Sequence, residues 1–156
     1  ALNRVLNMTH GFKVFLVIGI ASISMAQGFN GDTPIQAQEL HSQWDEIYAS
    51  GQAQRGEGLY AENCAACHSW DLTGNEIGSA LTGDAFSARW NGRTLAELLD
   101  YTQALMPQNS PGGLSRQQTI DVLAYIFRVG GAPSGQIELQ ERMEEFGNIL
   151  YLAKAP

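Results

Sequence analysis

Cys64-Ala65-Ala66-Cys67-His68 brings two thiols and an imidazole together on a few adjacent positions. Thiols three positions apart lie on one side of a helical turn. From there they can add to the two vinyl groups along one edge of a haem. The next residue, His68, then sits under the iron and offers it a ring nitrogen. This C-x-x-C-H spacing is the attachment signature for c-type haem. Covalent attachment keeps the haem from dissociating and fixes His68 against it. Two other chemistries use a close cysteine pair. A zinc site needs about four ligands, usually from two such pairs; this chain has two cysteines and, besides His68, only His10 and His41. A thioredoxin-type dithiol follows a strand in a βαβ unit, whereas residues 53–63 upstream have a helical pattern. No disulfide framework is possible, and a Cys64–Cys67 bridge is the most that could form.

A low-spin haem iron takes a sixth ligand. Met106, Met143 and His41 are the candidates, since Met8 and Met25 lie in the N-terminal segment. Met106 stands in Leu105-Met106-Pro107-Gln108-Asn109-Ser110-Pro111-Gly112-Gly113, where two prolines and two glycines hold the chain out of regular structure. A loop of that kind can present a thioether from the side opposite His68. Met143 sits in a polar helical pattern, Glu138 to Gly147, and His41 on a segment expected to be peripheral. A lone Met is otherwise a core-packing residue. A Met ligand raises the reduction potential relative to two histidines and closes the iron to substrates.

Three helices must position these groups. The first spans about residues 52–63 and delivers the cysteine motif; Gly56 and Gly58 lie inside it. An interior Gly costs up to about 1 kcal/mol relative to Ala, which close approach of another helix would justify. Thr94-Leu95-Ala96-Glu97 is a capping box and starts the second helix, to about Ala104. Ser115-Arg116-Gln117-Gln118 is another, and starts the third, with Ile120, Leu123, Ala124, Ile126 and Phe127 as its apolar stripe. Gly130-Gly131 and Pro133 end it. Residues 71–92 carry Gly and Asn punctuation and no clear strand, and a short helix is expected around residues 38–48, with Trp44, Ile47 and Tyr48 on one face. The expected fold is therefore all-α, three main helices with long loops around one covalent haem.

Residues 1–26 read as an address. Arg4 and Lys13 precede an apolar run over 14–26, and Ser24-Met25-Ala26 matches a small-x-small cleavage site. This is the layout of a secretory signal peptide. The run is shorter than the roughly 20 residues that span a bilayer; retained, residues 12–26 would act as a membrane anchor. Either way the following domain lies outside the cytoplasm, most simply in a bacterial periplasm. Residues 27–52 form a leader, 53–150 the haem domain with its C-terminal tail, and 151–156 the terminal residues. At 156 residues there is room for one compact domain. The net charge is −7; Arg4 and Lys13 are two of nine cations, so from residue 27 onward seven oppose all 16 acids, giving −9. An acidic domain of this kind excludes nucleic acid as a partner.

Gly56, Tyr60, Cys64, Cys67 and His68 match the first helix of class I cytochromes c in type and spacing, and Asp121-Val122-Leu123-Ala124-Tyr125-Ile126 resembles their C-terminal helix. The resemblance implies the class I cytochrome c fold, in which Gly56 and Tyr60 cross the late helix at Tyr125, and haem c with iron held by His68 and Met106. A narrower likeness runs through Leu81-Thr82-Gly83, Phe86, Trp90-Asn91-Gly92, Thr94-Leu95, Leu98, Met106-Pro107, Pro111 to Ser115 and Ala124-Tyr125-Ile126, and covers about residues 53–150. Those residues are similar to monohaem cytochromes that accept electrons from PQQ-dependent dehydrogenases. This implies single-electron transfer between periplasmic redox proteins, not catalysis, with such a dehydrogenase as donor and an oxidase or another cytochrome as acceptor. It also implies haem propionate contacts from Trp90, joined by Arg93 or Tyr101. The alternatives are a fixed haem subunit of a membrane or dehydrogenase complex, and a haem enzyme or gas sensor with an open sixth site. One departure stands out. The family usually has a Pro before Leu81 whose carbonyl accepts from the ligand His; here the stretch is Gly78-Ser79-Ala80, and the acceptor stays unassigned.

Overall fold

The computed structural model describes residues 40–141 and 146–156, all within one compact unit. Five helices and two very short strands make up its regular structure among the described residues. They are β1 (His41–Ser42), α1 (Ser50–Asn63), α2 (Ala65–His68), α3 (Gly83–Trp90), α4 (Leu95–Leu105), α5 (Arg116–Val129) and β2 (Ile149–Leu150). The fold is all-α, as the periodicity predicts.

The α1–α5 crossing is the centre of the molecule. Helix α1 buries Gln52, Ala53, Gly56 and Tyr60, one stripe along its length. Helix α5 is buried from Thr119 through Phe127. A Cβ on Gly56 would lie 1.8 Å from the Asp121 carbonyl oxygen, so only glycine lets the two backbones approach this closely. The ring centroids of Tyr60 and Tyr125 are 5.2 Å apart just beyond that crossing. Gly58, two residues on, meets nothing within 4 Å and takes no part.

Both capping boxes form in full. Thr94 accepts from the Glu97 N–H while Glu97 accepts from the Thr94 N–H, and Ser115 and Gln118 do the same for α5. Each closes two helix-end donors that would otherwise lack partners. Leu95, Leu98 and Leu99 form the buried stripe of α4.

Two expectations fail. Residues 71–92, read as loop, contain α3, which buries Phe86 and Trp90 one turn apart. The helix expected over 38–48 does not form across its described part. Instead Ser42 N–H donates to the Asp45 carboxylate at 2.6 Å and Glu46 takes φ +55°. Short polar side chains that bond the nearby backbone compete with a helix. The freed strand β1 pairs in parallel with β2, His41 opposite Ile149 and Ser42 opposite Leu150. Packing thus extends N-terminal of residue 53: Tyr48 is fully buried and its hydroxyl donates to the Ala132 carbonyl at 2.6 Å. The apolar run at 14–26 and Met143 lie outside the described residues.

Candidate haem site

Helix α1 runs straight into the motif. Cys64 N–H donates to the Tyr60 carbonyl, closing α1, and His68 N–H donates back to the Cys64 carbonyl at 2.9 Å, making α2 a single tight turn. The two thiols therefore ride on one turn at the end of a helix that α5 clamps. Both are half-buried and unpaired. Burial, and then the neighbouring Cys67, push the Cys64 thiol up to about 11. It stays protonated at neutral pH, where a thiol is slow to oxidise.

His68 Nδ1 lies 2.6 Å from the Ser79 carbonyl oxygen. A carbonyl only accepts, so Nδ1–H is the donor, and Nε2 is the nitrogen left for a metal. Ser79 fills, through its backbone, the acceptor role that Gly78-Ser79-Ala80 left open in the sequence. The segment between is folded tightly onto the motif. Gly74 N–H donates to the His68 carbonyl at 3.0 Å, and Ser69 Oγ donates to the Gly74 carbonyl at 2.7 Å. Asn75 accepts from the N–H groups of Ile77 and Gly78 and reaches the Ala66 carbonyl through its own amide. Tyr60 Oη donates to the Ser69 carbonyl at 2.6 Å. A Cβ on Gly78 would fall 2.5 Å from the Cys67 carbonyl oxygen and 3.1 Å from His68 Nδ1. Glycine there lets the segment that carries the Ser79 carbonyl lie against the motif turn.

Met106 is the C-cap of α4, in extended conformation and half-buried, with its N–H on the Thr102 carbonyl at 2.8 Å. The loop it opens is not slack. Ser110 N–H donates to the Pro107 carbonyl and Gly113 N–H to the Ser110 carbonyl, both at 2.9 Å. Gln103 Nε2 donates to the Leu114 carbonyl at 3.0 Å and ties the loop's far end back to α4. His41, the other described candidate, sits on β1 with its ring turned to Asp45, 3.9 Å away, and belongs to the strand pair instead.

Trp90 and Tyr101 pack edge to face at 5.4 Å. Arg93 lies over Trp90 at 4.9 Å and pairs with Glu97 at 2.9 Å. Arg89, which sequence reasoning missed, lies over the Tyr101 ring at 4.3 Å and beside Trp90 at 5.4 Å. A signal existed: Arg89 and Arg93 are the only cations between residues 56 and 115, and they flank Trp90.

Among the described residues no three His, Cys, Asp or Glu side chains gather into a metal-holding group. The donors present fit haem c: two thiols on one turn, an imidazole held through Nδ1 by a carbonyl, and a glycine-lined contact beside that ring. Residues 51–126 match the family model for cytochrome c oxidase, cbb3-type, subunit III. No curated protein sequence matches the chain. A solved structure, the sulfane dehydrogenase SoxCD from Paracoccus pantotrophus, is similar at 22% identity over 69% of this chain, with a TM-score of 0.44. The chain spans 61% of that protein's chain. The turn, its histidine and the family match converge on one conclusion: the domain over residues 51–126 is a monohaem class I c-type cytochrome domain, and its cofactor is one covalently bound haem c with its iron.

Proposed function

We propose that the chain is a one-electron carrier in which Cys64 and Cys67 attach the haem, and His68 Nε2 and the Met106 sulfur are the axial ligands. The observation that carries this reading is the hydrogen bond from His68 Nδ1 to the Ser79 carbonyl, 2.6 Å long. It fixes the tautomer a metal ligand needs, orients the ring and raises its basicity. Bound haem c supplies an Fe(III)/Fe(II) couple. The chain's own residues hold that couple with little movement. The motif turn is clamped by the loop at 69–81, and the Met106 loop is closed by its own turns and by Gln103. Trp90, Tyr101, Arg89 and Arg93 form the group suited to the anionic propionates, since guanidinium forks match carboxylates.

The same reading places the protein in the periplasm. Its donor would be a dehydrogenase, by resemblance a PQQ-dependent one, and its acceptor an oxidase or another cytochrome. A second reading, a fixed haem subunit, draws on the family model's name as an oxidase subunit and on the apolar run at 14–26. Fractionation separates the two: a carrier leaves with the periplasmic contents, whereas a fixed subunit stays with membranes after a high-salt wash.

The test of the ligand set is an optical spectrum, oxidised and reduced. The Met–iron charge-transfer band near the red edge is expected in the wild type and absent in Met106→Ala. A high-spin wild type, or ready carbon monoxide binding when reduced, would move an open-site enzyme or sensor to the front.

A further inference from the structure

Trp70 and Ile77 stand in water at 74% and 71% exposure, on the loop that orients His68. Single exposed apolar side chains are ordinary. These two differ in where they sit and in the field around them. Trp70 is two residues past His68, and Ile77 is two before Ser79, whose carbonyl holds the His68 ring. The loop is held rigidly by Asn75, so both side chains are displayed by fixed backbone. Leu72, on the same loop, is fully buried and supplies its inward anchor. Residues 56–88 carry five acids and no Lys or Arg. Of these, Glu62, Asp71 and Glu76 are exposed beside the motif and its loop. Hydrogen bonds from Thr73 hold the Asp71 carboxyl below its usual range, so it is ionised at neutral pH.

We infer that Trp70 and Ile77 form the apolar centre of the surface that meets the electron-transfer partner, and that this partner presents an apolar patch ringed by Lys and Arg. The inference rests on the electron-carrier reading above. Trp is among the residues most often dominant in an interface. An uncompensated acidic rim speeds encounter with a cationic partner and repels anionic ones. The contact would be small and short-lived, as electron-transfer encounters are.

The test follows oxidation of the reduced holoprotein in a stopped-flow instrument, using two probes of opposite charge. Tris(phenanthroline)cobalt(III) is a trication with an apolar ligand shell, a minimal copy of the partner's chemistry; hexacyanoferrate(III) is a trianion. In each case one electron leaves the protein, taking its iron from Fe(II) to Fe(III), and reduces Co(III) to Co(II) or the probe's Fe(III) to Fe(II). Trp70→Ser/Ile77→Ser should slow the cobalt reaction about fivefold and leave hexacyanoferrate within about twofold. Asp71→Asn/Glu76→Gln should slow the cobalt reaction about fivefold at low salt, with the effect gone at about 1 M, where the Debye length is only about 3 Å. Glu141→Gln, an exposed acid two residues past Leu139, whose backbone bonds Gln52 near the start of α1, should change neither. Either double variant reacting with cobalt at the wild-type rate overturns the inference. So does a shifted optical spectrum in Trp70→Ser, which would put Trp70 against the haem, or a wild-type dimer that Trp70→Ser splits, which would make the patch a contact between copies. A wild type that exchanges electrons with neither probe would instead sink the carrier reading itself.

Discussion

At the scale of single residues, the site depends on a backbone carbonyl rather than a side chain. His68 Nδ1 bonds Ser79 through its main chain, so the serine hydroxyl is dispensable and the local geometry is not. Gly78 sets that geometry, because a methyl group there would press on the Cys67 carbonyl from 2.5 Å. Gly78→Ala must push the acceptor segment off the motif turn and lengthen the histidine hydrogen bond. With His68 as the iron ligand proposed above, a less basic imidazole stabilises Fe(III) less, so the reduction potential should rise. One hydrogen bond is worth about 1 kcal/mol, or roughly 40 mV for a one-electron couple. Ser79→Ala keeps the carbonyl and should leave the potential unchanged. Redox titration of the two variants checks the pair, and equal shifts would remove Gly78 from this role. The sequence could name His68 but not its acceptor, since the family's Pro is absent and any of several carbonyls could have served. Only the folded loop selects Ser79.

At the scale of elements, two glycines in one helix should behave in opposite ways. Gly56→Ala gains up to about 1 kcal/mol in helix propensity. It also drives a methyl into the Asp121 carbonyl at 1.8 Å, which overpacks the α1–α5 crossing by about 3 kcal/mol or more. The steric term wins, and Gly56→Ala should be destabilised. Gly58 has open space, so Gly58→Ala should gain about 0.5–1 kcal/mol. Denaturant unfolding of both variants decides it, and the same sign for both would break the argument. The long helices were legible from a capping box in α4 and α5, with an apolar stripe in α5, and from the motif that α1 delivers. Helix α3 was not. It runs from Gly83 to Trp90, is bounded by Gly92 beyond, and carries just Phe86 and Trp90 as apolar anchors. Over so short a span, punctuation outweighs periodicity. The β1–β2 pair was equally hidden, because its two strands are far apart in sequence and two residues long.

At the scale of the whole molecule, the two ends of the described chain are drawn together around the helix crossing. Gln43 exchanges hydrogen bonds with the Leu152 backbone, and Trp44 Nε1 donates to the Leu152 carbonyl at 2.9 Å. Gln52, fully buried, donates to the Leu139 carbonyl at 2.8 Å and accepts its N–H at 2.9 Å. Arg55 spans the buried Asp121 and the exposed Glu138, at 3.1 and 2.8 Å. The tail is thus tied to α1 by one buried amide and one guanidinium, and only the second depends on pH. The hydrogen bond from Arg55 holds the Glu138 carboxyl below its usual range. A carboxyl depressed in the folded state contributes stability above its unfolded value, near 4.5, and loses it as pH falls through the lower folded value. The latch should therefore be unchanged between neutral pH and about 5, and weaken below that. Glu138→Gln should lower the melting temperature at pH 7 by a small amount, as exposed pairs do, and the gap from wild type should close near pH 3 and in high salt. Melting curves at both pH values test this. A gap that persists in acid would mean that Glu138 holds the tail by packing rather than by charge, leaving Gln52 as the principal polar tie between α1 and the tail.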